Sequence, residues 1–408
     1  MSKRRVVVTG VGIVSPIGNS LAAASLSLRE GRHGIVHTDL FGQIEHLRTR
    51  LSAPVVGLDL NYPRKKVRTM GRVALLSLAA TEQALAQAGL PEEALHHPRT
   101  GIAYGSTHGS SSANEEWAAK MLGPRSLAGI QSTEYIKFMS HTCAANLAIY
   151  YGVTGRVIST CSACVSASQG IGSGVEAIRA GHTDIMICGG AEEMHVSHAA
   201  VFDIMYATDA RHNDCPERAS RPFDKDRDGL VVGEGAGTLI LESYEHASAR
   251  GAVILAEVLG YGTNCDGTHV TSPSQHGMAG AMKLALADAA FDASRIDYVN
   301  AHATATEVGD IVESHATAEV LGTSVPISST KGFTGHTLGA CGAIEAAFCI
   351  NMMHEGFLAP NRTLEVLDER CAKLAYVGRE AREAKPRIAM SNNFAFGGIN
   401  TSLILGLV

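Results

Sequence analysis

Two patterns of hydrophobic and polar positions alternate along the chain. Short β-branched and aliphatic runs at residues 6–9, 100–104, 157–160 and 184–188 read as buried strands. Longer stretches with apolar residues three and four apart, at 72–89 and 164–180, read as helices with one face in a core. Strand and helix in alternation predict an α/β protein. The first run ends on Gly10, which reads as a strand followed by a turn. The alternation restarts at 254–259, continues through a helix at 278–290 and reaches a strand-like run at 298–302. We therefore expect two closely packed related halves, residues 1–253 and 254–408, each opening on a β-rich run that ends in glycine. Residues 209–228 turn polar before Gly233 to Gly237 lead back to an apolar run, so that segment is expected at the surface.

Composition narrows the class. At 408 residues the chain exceeds one ordinary core and suits two domains of roughly 150–250 residues. A hydrophobic fraction of 45% with 18% charged residues excludes disorder, and 43 glycines with only 5% aromatics point to a small-residue core with close backbone approach. A net charge of -6 leaves no overall footprint for nucleic acid or an anionic membrane, so any basic site must be local. Nine scattered cysteines do not form a disulfide scaffold and suit reduced thiols in the cytoplasm. Lys3, Arg4 and Arg5 ahead of an apolar run imitate an export signal, but Gly10, Gly12, Ser15 and Pro16 break that run. No stretch has the ~18–20 apolar residues of a membrane span, so a soluble protein is expected.

Four motifs carry candidate chemistry. Gly10-Val-Gly12-Ile-Val-Ser15 lacks the third glycine of a dinucleotide fingerprint, and Pro16 disrupts the helix that should follow. Asp224, Asp226 and Asp228 open like a calcium loop, yet its twelfth position is Gly235 and Glu234 falls one residue early. Cys161 and Cys164 have redox-motif spacing, and Cys164 lies where a helix start favours a thiolate. Redox chemistry and plain packing of two buried cysteines both fit that spacing. Arg64, Lys65, Lys66, Arg68 and Arg72 form a basic cluster, read as a solvated helix face or as a dock for an acidic protein or phosphate.

His302, in Asn300-Ala-His-Ala-Thr304-Ala-Thr306, follows a strand-like run, and His336 lies in Lys331-Gly-Phe-Thr-Gly-His-Thr-Leu-Gly339. A thiol at a helix start with two such histidines supplies a nucleophile and two groups able to stabilise charge. Spacing alone does not bring them together. At these residues, and at Pro222-Phe-Asp-Lys-Asp-Arg-Asp-Gly229 and Asn393-Phe-Ala-Phe-Gly-Gly-Ile-Asn400, the chain resembles the β-ketoacyl-acyl carrier protein synthases of the elongating Cys-His-His class over essentially its whole length.

That resemblance implies a thiolase-like α/β fold in five αβαβα layers and a 3-oxoacyl-[acyl-carrier-protein] synthase activity. It implies that Cys164 carries the acyl chain as a thioester, with Cys161 a mere neighbour. His302 and His336 would stabilise the enolate left when malonyl-carrier protein loses carbon dioxide. The backbone N–H groups of Cys164 and Phe396 would form an oxyanion hole, and Phe396 would gate the nucleophile, its motion eased by Gly397 and Gly398. Lys331, paired with Glu313, would support His302. Thr304 and Thr306 would hold the phosphopantetheine arm, with Phe394 beside the substrate. Arg64, Lys65, Arg68 and Arg125 would dock acyl carrier protein, and no metal, nucleotide or free cofactor is implied. A homodimer is expected, with a heterodimer of related subunits as the alternative.

The chain departs from the family pattern at two places. Ala303 stands where the family usually has glycine, and His108 stands where relatives place glycine or an aliphatic residue facing the acyl pocket. In the pocket His108 would favour short, unsaturated or oxygenated chains; otherwise it faces solvent or a dimer contact. Lys331 and His336 argue against a degradative thiolase. Cys164 with both histidines argues against a non-catalytic partner that only sets chain length.

Overall fold

The computed structural model describes residues 3–408, built around one mixed sheet of 11 strands. Five strands come from the first half of the chain: β1 Val6–Val14, β2 Thr100–Gly105, β3 Val157–Thr160, β4 Ile185–Glu192 and β5 Gly235–Ser243. Five come from the second: β6 Ala256–Cys265, β7 Tyr298–Asn300, β8 Pro326–Ser328, β9 Ile388–Ala395 and β10 Ile399–Gly406. The short strand Ala375–Tyr376 adds an outer edge beside β8. The first set runs β1-β5-β4-β2-β3 and the second β6-β10-β9-β7-β8, which is the same path twice, joined where β1 and β6 lie antiparallel.

Helices α1 (Arg72–Ala88) and α3 (Gln275–Ala289) cover the outer faces, the first on β1 and β5, the second on β6 and β10. α4 (Glu307–Leu321) lies beside α3. Between the two strand sets lie α2 (Ser166–Arg179), against β4 and β2, and α5 (Cys341–Glu355), against β9 and β5. The result is the five-layered αβαβα stack of the thiolase-like fold. In α5, 13 of 15 residues are buried, which is why its sequence is apolar on all sides rather than along one stripe.

The first glycines do not make a turn. β1 continues as a strand through Gly10 and Gly12, with a register shift against β5 between Val8 and Gly10; glycine is needed because α1 crosses so close that a Cβ there would lie 2.1 Å from the Ala84 carbonyl oxygen and 2.0 Å from that of Ala80. Gly260 and Gly262 of β6 repeat the arrangement, with a Cβ 2.2 Å from the Ala285 oxygen and 2.1 Å from that of Ala281. The expectation of a polar surface excursion at 209–228 holds for most of 210–218, where Arg211, Asp214, Glu217 and Arg218 are exposed, and is corrected at 219–224. Arg221, Phe223 and Asp224 are buried because their polar groups are satisfied internally. The Asp224 carboxylate accepts the amides of Asp226, Glu365 and Val366, and Arg227 donates to Asp368 and to the carbonyls of Thr306 and Glu307. Of the aspartates that resembled a calcium loop, Asp224 thus ties the two halves together, whereas Asp228 accepts the amides of Ala210 and Arg211 within the first half and Asp226 is exposed. Among the described residues, no helix is long and apolar enough to cross a membrane.

Candidate active site

The end of β3 and the start of α2 set the nucleophile. Ala163 adopts a left-handed backbone (φ 48°) and turns the chain into a short 3-10 segment, Ala163–Val165, that holds Cys164 ahead of the helix. The second half repeats the device: Leu338 (φ 46°) opens the segment Leu338–Ala340 ahead of α5, with Gly339 at the place of the cysteine. Non-glycine residues held in this region mark sites where surrounding structure enforces a geometry.

Three side chains meet above this turn. His336 Nε2 lies 2.9 Å from Cys164 Sγ, and the His302 ring stands edge-on to that of His336 with centroids 5.2 Å apart. Each is fixed through its backbone. His336 donates its N–H to Val231 O at 2.7 Å and accepts from Gly233 N at 2.9 Å. Glu313 of α4 accepts the amides of His302 at 2.8 Å and Ala303 at 2.6 Å, holding the loop after β7. The extra methyl of Ala303 is buried, and Ser329 Oγ donates to its carbonyl at 2.7 Å. His302 is therefore presented firmly despite the departure from glycine.

Beneath the histidines lies a buried ion pair. Lys331 Nζ meets Glu345 of α5, and the other Glu345 oxygen accepts from Asn393 Nδ2 at 2.7 Å. This corrects the expected Lys331–Glu313 pairing, since Glu313 is occupied by backbone amides. Sequence reasoning missed Glu345 and Asn393; the available signal was one acidic residue inside an otherwise apolar helix.

Burial dominates the electrostatics. It pushes the Cys164 thiol up to about 12, against the pull of Lys331, so the helix start does not make this cysteine a resting thiolate. Burial, followed by the Lys331 charge, holds both His302 and His336 well below their ordinary value. For Lys331, burial alone would lower the ammonium, but Glu345 outweighs it and leaves the group raised. Burial also raises the Glu313 carboxyl to about 8, although the two backbone amides oppose that shift. The site thus sets a neutral thiol against the His336 imidazole, with His302 edge-on to that ring, above the Lys331–Glu345 ion pair.

Cys164, His302 and His336 line a cavity of about 730 Å³ together with Thr304, Thr306, Phe394 and Phe396. The two threonine hydroxyls are 3.1 Å apart, and Phe394 lies 6.0 Å from the His302 ring. Phe396 packs on Phe202 at 5.3 Å and is followed by Gly397 (φ 86°) and Gly398 (φ 70°). His108 is exposed and does not line this cavity. Arg64, Lys65, Arg68 and Arg125 are exposed, and none of them lines it either. Arg72 leaves the basic cluster, because its guanidinium pairs with buried Glu234 at 2.6 Å. Cys161 is exposed, its thiol facing the Thr107 carbonyl, and both it and Cys164 are free.

Residues 3–247 match the family described as beta-ketoacyl synthase, N-terminal domain, and residues 255–365 match its C-terminal domain. The chain belongs to the β-ketoacyl synthase family. It is 40% identical to 3-oxoacyl-[acyl-carrier-protein] synthase 1 of Escherichia coli K12, covering 98% of each chain. A β-ketoacyl synthase from Burkholderia phymatum STM815 superposes with a TM-score of 0.96 at 48% identity, covering 99% of this chain and 100% of that one. A type II PKS acyl-carrier protein in complex with its ketosynthase bound to the hexaketide gives a TM-score of 0.91 at 29% identity, with 100% of both chains covered. As a β-ketoacyl synthase the chain is a condensing acyltransferase of the elongating kind, as its sequence predicts.

Proposed function

We propose that the chain is a 3-oxoacyl-[acyl-carrier-protein] synthase in which Cys164 holds the growing acyl group. The observation that carries this reading is the meeting of one thiol with two neutral imidazoles in a cavity walled by hydroxyls and phenylalanines. The Cys164 sulfur attacks the acyl-carrier thioester, the bond to the carrier's sulfur breaks, and the thiol proton leaves with that sulfur. Malonyl-carrier protein then loses carbon dioxide, and the electron pair of the broken C–C bond passes into a thioester enolate. Its oxygen is held by N–H groups of His302 and His336, which are aimed before the charge develops. The enolate carbon attacks the Cys164 thioester carbonyl, whose oxygen is held by the N–H groups of Cys164 and Phe396. A C–C bond forms, Cys164 leaves as thiolate, and solvent returns its proton.

In this reading Thr304 and Thr306 hold the phosphopantetheine arm, Phe394 flanks it, and Phe396 swings on Gly397 and Gly398 to admit each substrate. Lys331 and Glu313 act through the histidines. The halves 1–253 and 254–408 supply nucleophile and histidines respectively, and no free cofactor takes part. The test is turnover of acyl- and malonyl-carrier protein. One carbon dioxide per 3-oxoacyl product two carbons longer is expected, and product formed without carbon dioxide release would overturn it.

Arg64, Lys65, Arg68 and Arg125 are assigned to carrier-protein docking. Their exposure on a chain of net charge -6 supports this reading, together with the ketosynthase relative seen with its carrier protein. Reversing the charge of Arg64, Lys65 and Arg68 together is expected to weaken carrier binding about 10-fold or more at low salt and much less at high salt. An unchanged dissociation constant at low salt would return the cluster to a solvated face. The open edge at β3, where Val157 is 46% exposed, supports a homodimer, and a sedimentation-equilibrium mass of one chain would overturn it.

A further inference from the structure

The proposed reaction gives no part to the motif Pro222-Phe-Asp-Lys-Asp-Arg-Asp-Gly229. Its Arg227 nevertheless lines the Cys164 cavity, although the side chain is only 1% exposed. The guanidinium reaches from the first half of the chain to the start of α4 in the second. Nε donates to Thr306 O at 3.1 Å and Nη2 to Glu307 O at 2.5 Å. Nη1 anchors the planar group between Asp224 O at 2.8 Å and Asp368 Oδ2 at 2.7 Å, and Asp310 Oδ2 lies 3.9 Å from Nε.

Two features of this helix start run against what a helix prefers. Thr306 is the N-cap of α4, a position whose hydroxyl ordinarily accepts an amide of the first turn. It makes no such bond, and lies instead 3.1 Å from the Thr304 hydroxyl. A guanidinium cation also stands beside the end of the helix where the dipole is positive, although a cation is favoured at the other end. Between the two threonines Ala305 keeps a left-handed backbone (φ 67°), which a residue other than glycine holds only where its surroundings enforce it. Glu313 fixes the near side of this turn through the amides of His302 and Ala303, and Arg227 fixes the far side through two carbonyls. Local preferences broken together mark a place where function outweighs stability.

We infer that Arg227 is a positioning residue for the carrier arm: by holding the Thr306 and Glu307 carbonyls it keeps Ala305 turned and leaves the Thr304 and Thr306 hydroxyls together, facing substrate instead of the helix. The inference rests on the reading that those two hydroxyls bind the arm. None of the Arg227 hydrogen bonds goes to Cys164, His302 or His336, so its loss weakens arm binding and spares the chemical step.

The test measures kcat and KM for carbon dioxide release from two substrates with the same reacting atoms: malonyl-pantetheine, and the malonyl S-ethyl thioester, which has no arm. The wild-type chain is expected to prefer the first. Arg227→Lys keeps the charge beside Asp368, and with it the fold, but lacks the planar fork that spans two carbonyls; Arg227→Met removes both. Each is expected to raise KM for malonyl-pantetheine about 10-fold with kcat within about 2-fold, and to leave kcat/KM for the S-ethyl thioester unchanged. In a chain already carrying Thr304→Val and Thr306→Val, Arg227→Lys should change neither value further. An unmoved KM in Arg227→Lys, an equal loss with both thioesters, or a full additional loss in the valine background would overturn the proposal. A wild-type chain that treats the two thioesters alike would instead overturn the reading of Thr304 and Thr306 beneath it.

Discussion

Replacing Cys164 with alanine is expected to abolish acyl-enzyme formation and to cut condensation by on the order of 10⁴-fold or more, while carbon dioxide release from malonyl-carrier protein persists. The split follows from the geometry. The sulfur at 2.9 Å from His336 Nε2 is the atom that bonds the acyl group, whereas the imidazoles of His302 and His336 are anchored through backbone bonds that do not involve it. Losing one buried atom costs about 1 kcal/mol, so the fold survives. Cys161, exposed and turned to Thr107 O, is not placed to substitute. Intact-protein mass spectrometry after incubation with acyl-carrier protein reads the first effect, and carbon dioxide release reads the second. An acyl adduct on the Cys164→Ala chain would place the nucleophile elsewhere. Complete loss of carbon dioxide release would show that the thiol itself takes part in decarboxylation.

Most of the strand and helix pattern was legible because it depends on local periodicity. α1 runs over Arg72–Ala88 with Gly89 as its left-handed cap, and β3 forms at 157–160 as expected, although as an edge strand it is largely exposed rather than buried. What failed were inferences from a residue's usual company. Gly10 read as a turn, yet its role and that of Gly12 are set by a helix about 70 residues away in sequence, which no local pattern reports. The segment at 209–228 read as surface because it is polar, which is right at Arg211, Asp214, Glu217 and Arg218, but at 219–227 buried carboxylates and guanidinium groups that satisfy one another leave the same trace in a sequence.

The site divides in the same way. Cys164, His302 and His336 were found by their flanking motifs, and the structure brings all three to one cavity. The partner of Lys331 was not found, because a carboxylate at 345 and one at 313 are equally plausible until the backbone amides of His302 and Ala303 claim the latter. His108 stood out as a polar residue in an aliphatic place, but its connection to His198 through Ser111 spans 87 positions between the bonded serine and histidine.

Removing one member of the Lys331–Glu345 pair is expected to have the largest effect on stability, and replacing both to separate stability from catalysis. Each side chain is almost wholly buried, at 1% and 2% exposure. Glu345→Ala strands an ammonium in a low-dielectric site, a loss of about 3–5 kcal/mol against the ~5–15 kcal/mol that holds a typical domain folded. Urea denaturation should show the midpoint falling steeply, and an unchanged midpoint would mean that Lys331 has another partner or reaches water. Lys331→Met with Glu345→Leu keeps the volume and removes both charges, so most of that stability should return. Activity should not recover in full, because the Lys331 charge helps hold His302 and His336 below their ordinary value. An imidazole with a lowered value stays neutral, and able to donate without being charged, as pH falls through 6.5. Without the lysine charge that value rises, so the loss of decarboxylation on acidification should begin at a higher pH than in the wild type. A pH profile of kcat/KM for malonyl-carrier protein measures the displacement. An acid limb that stays in place would show that burial alone keeps the histidines neutral and that Lys331 serves only to balance Glu345.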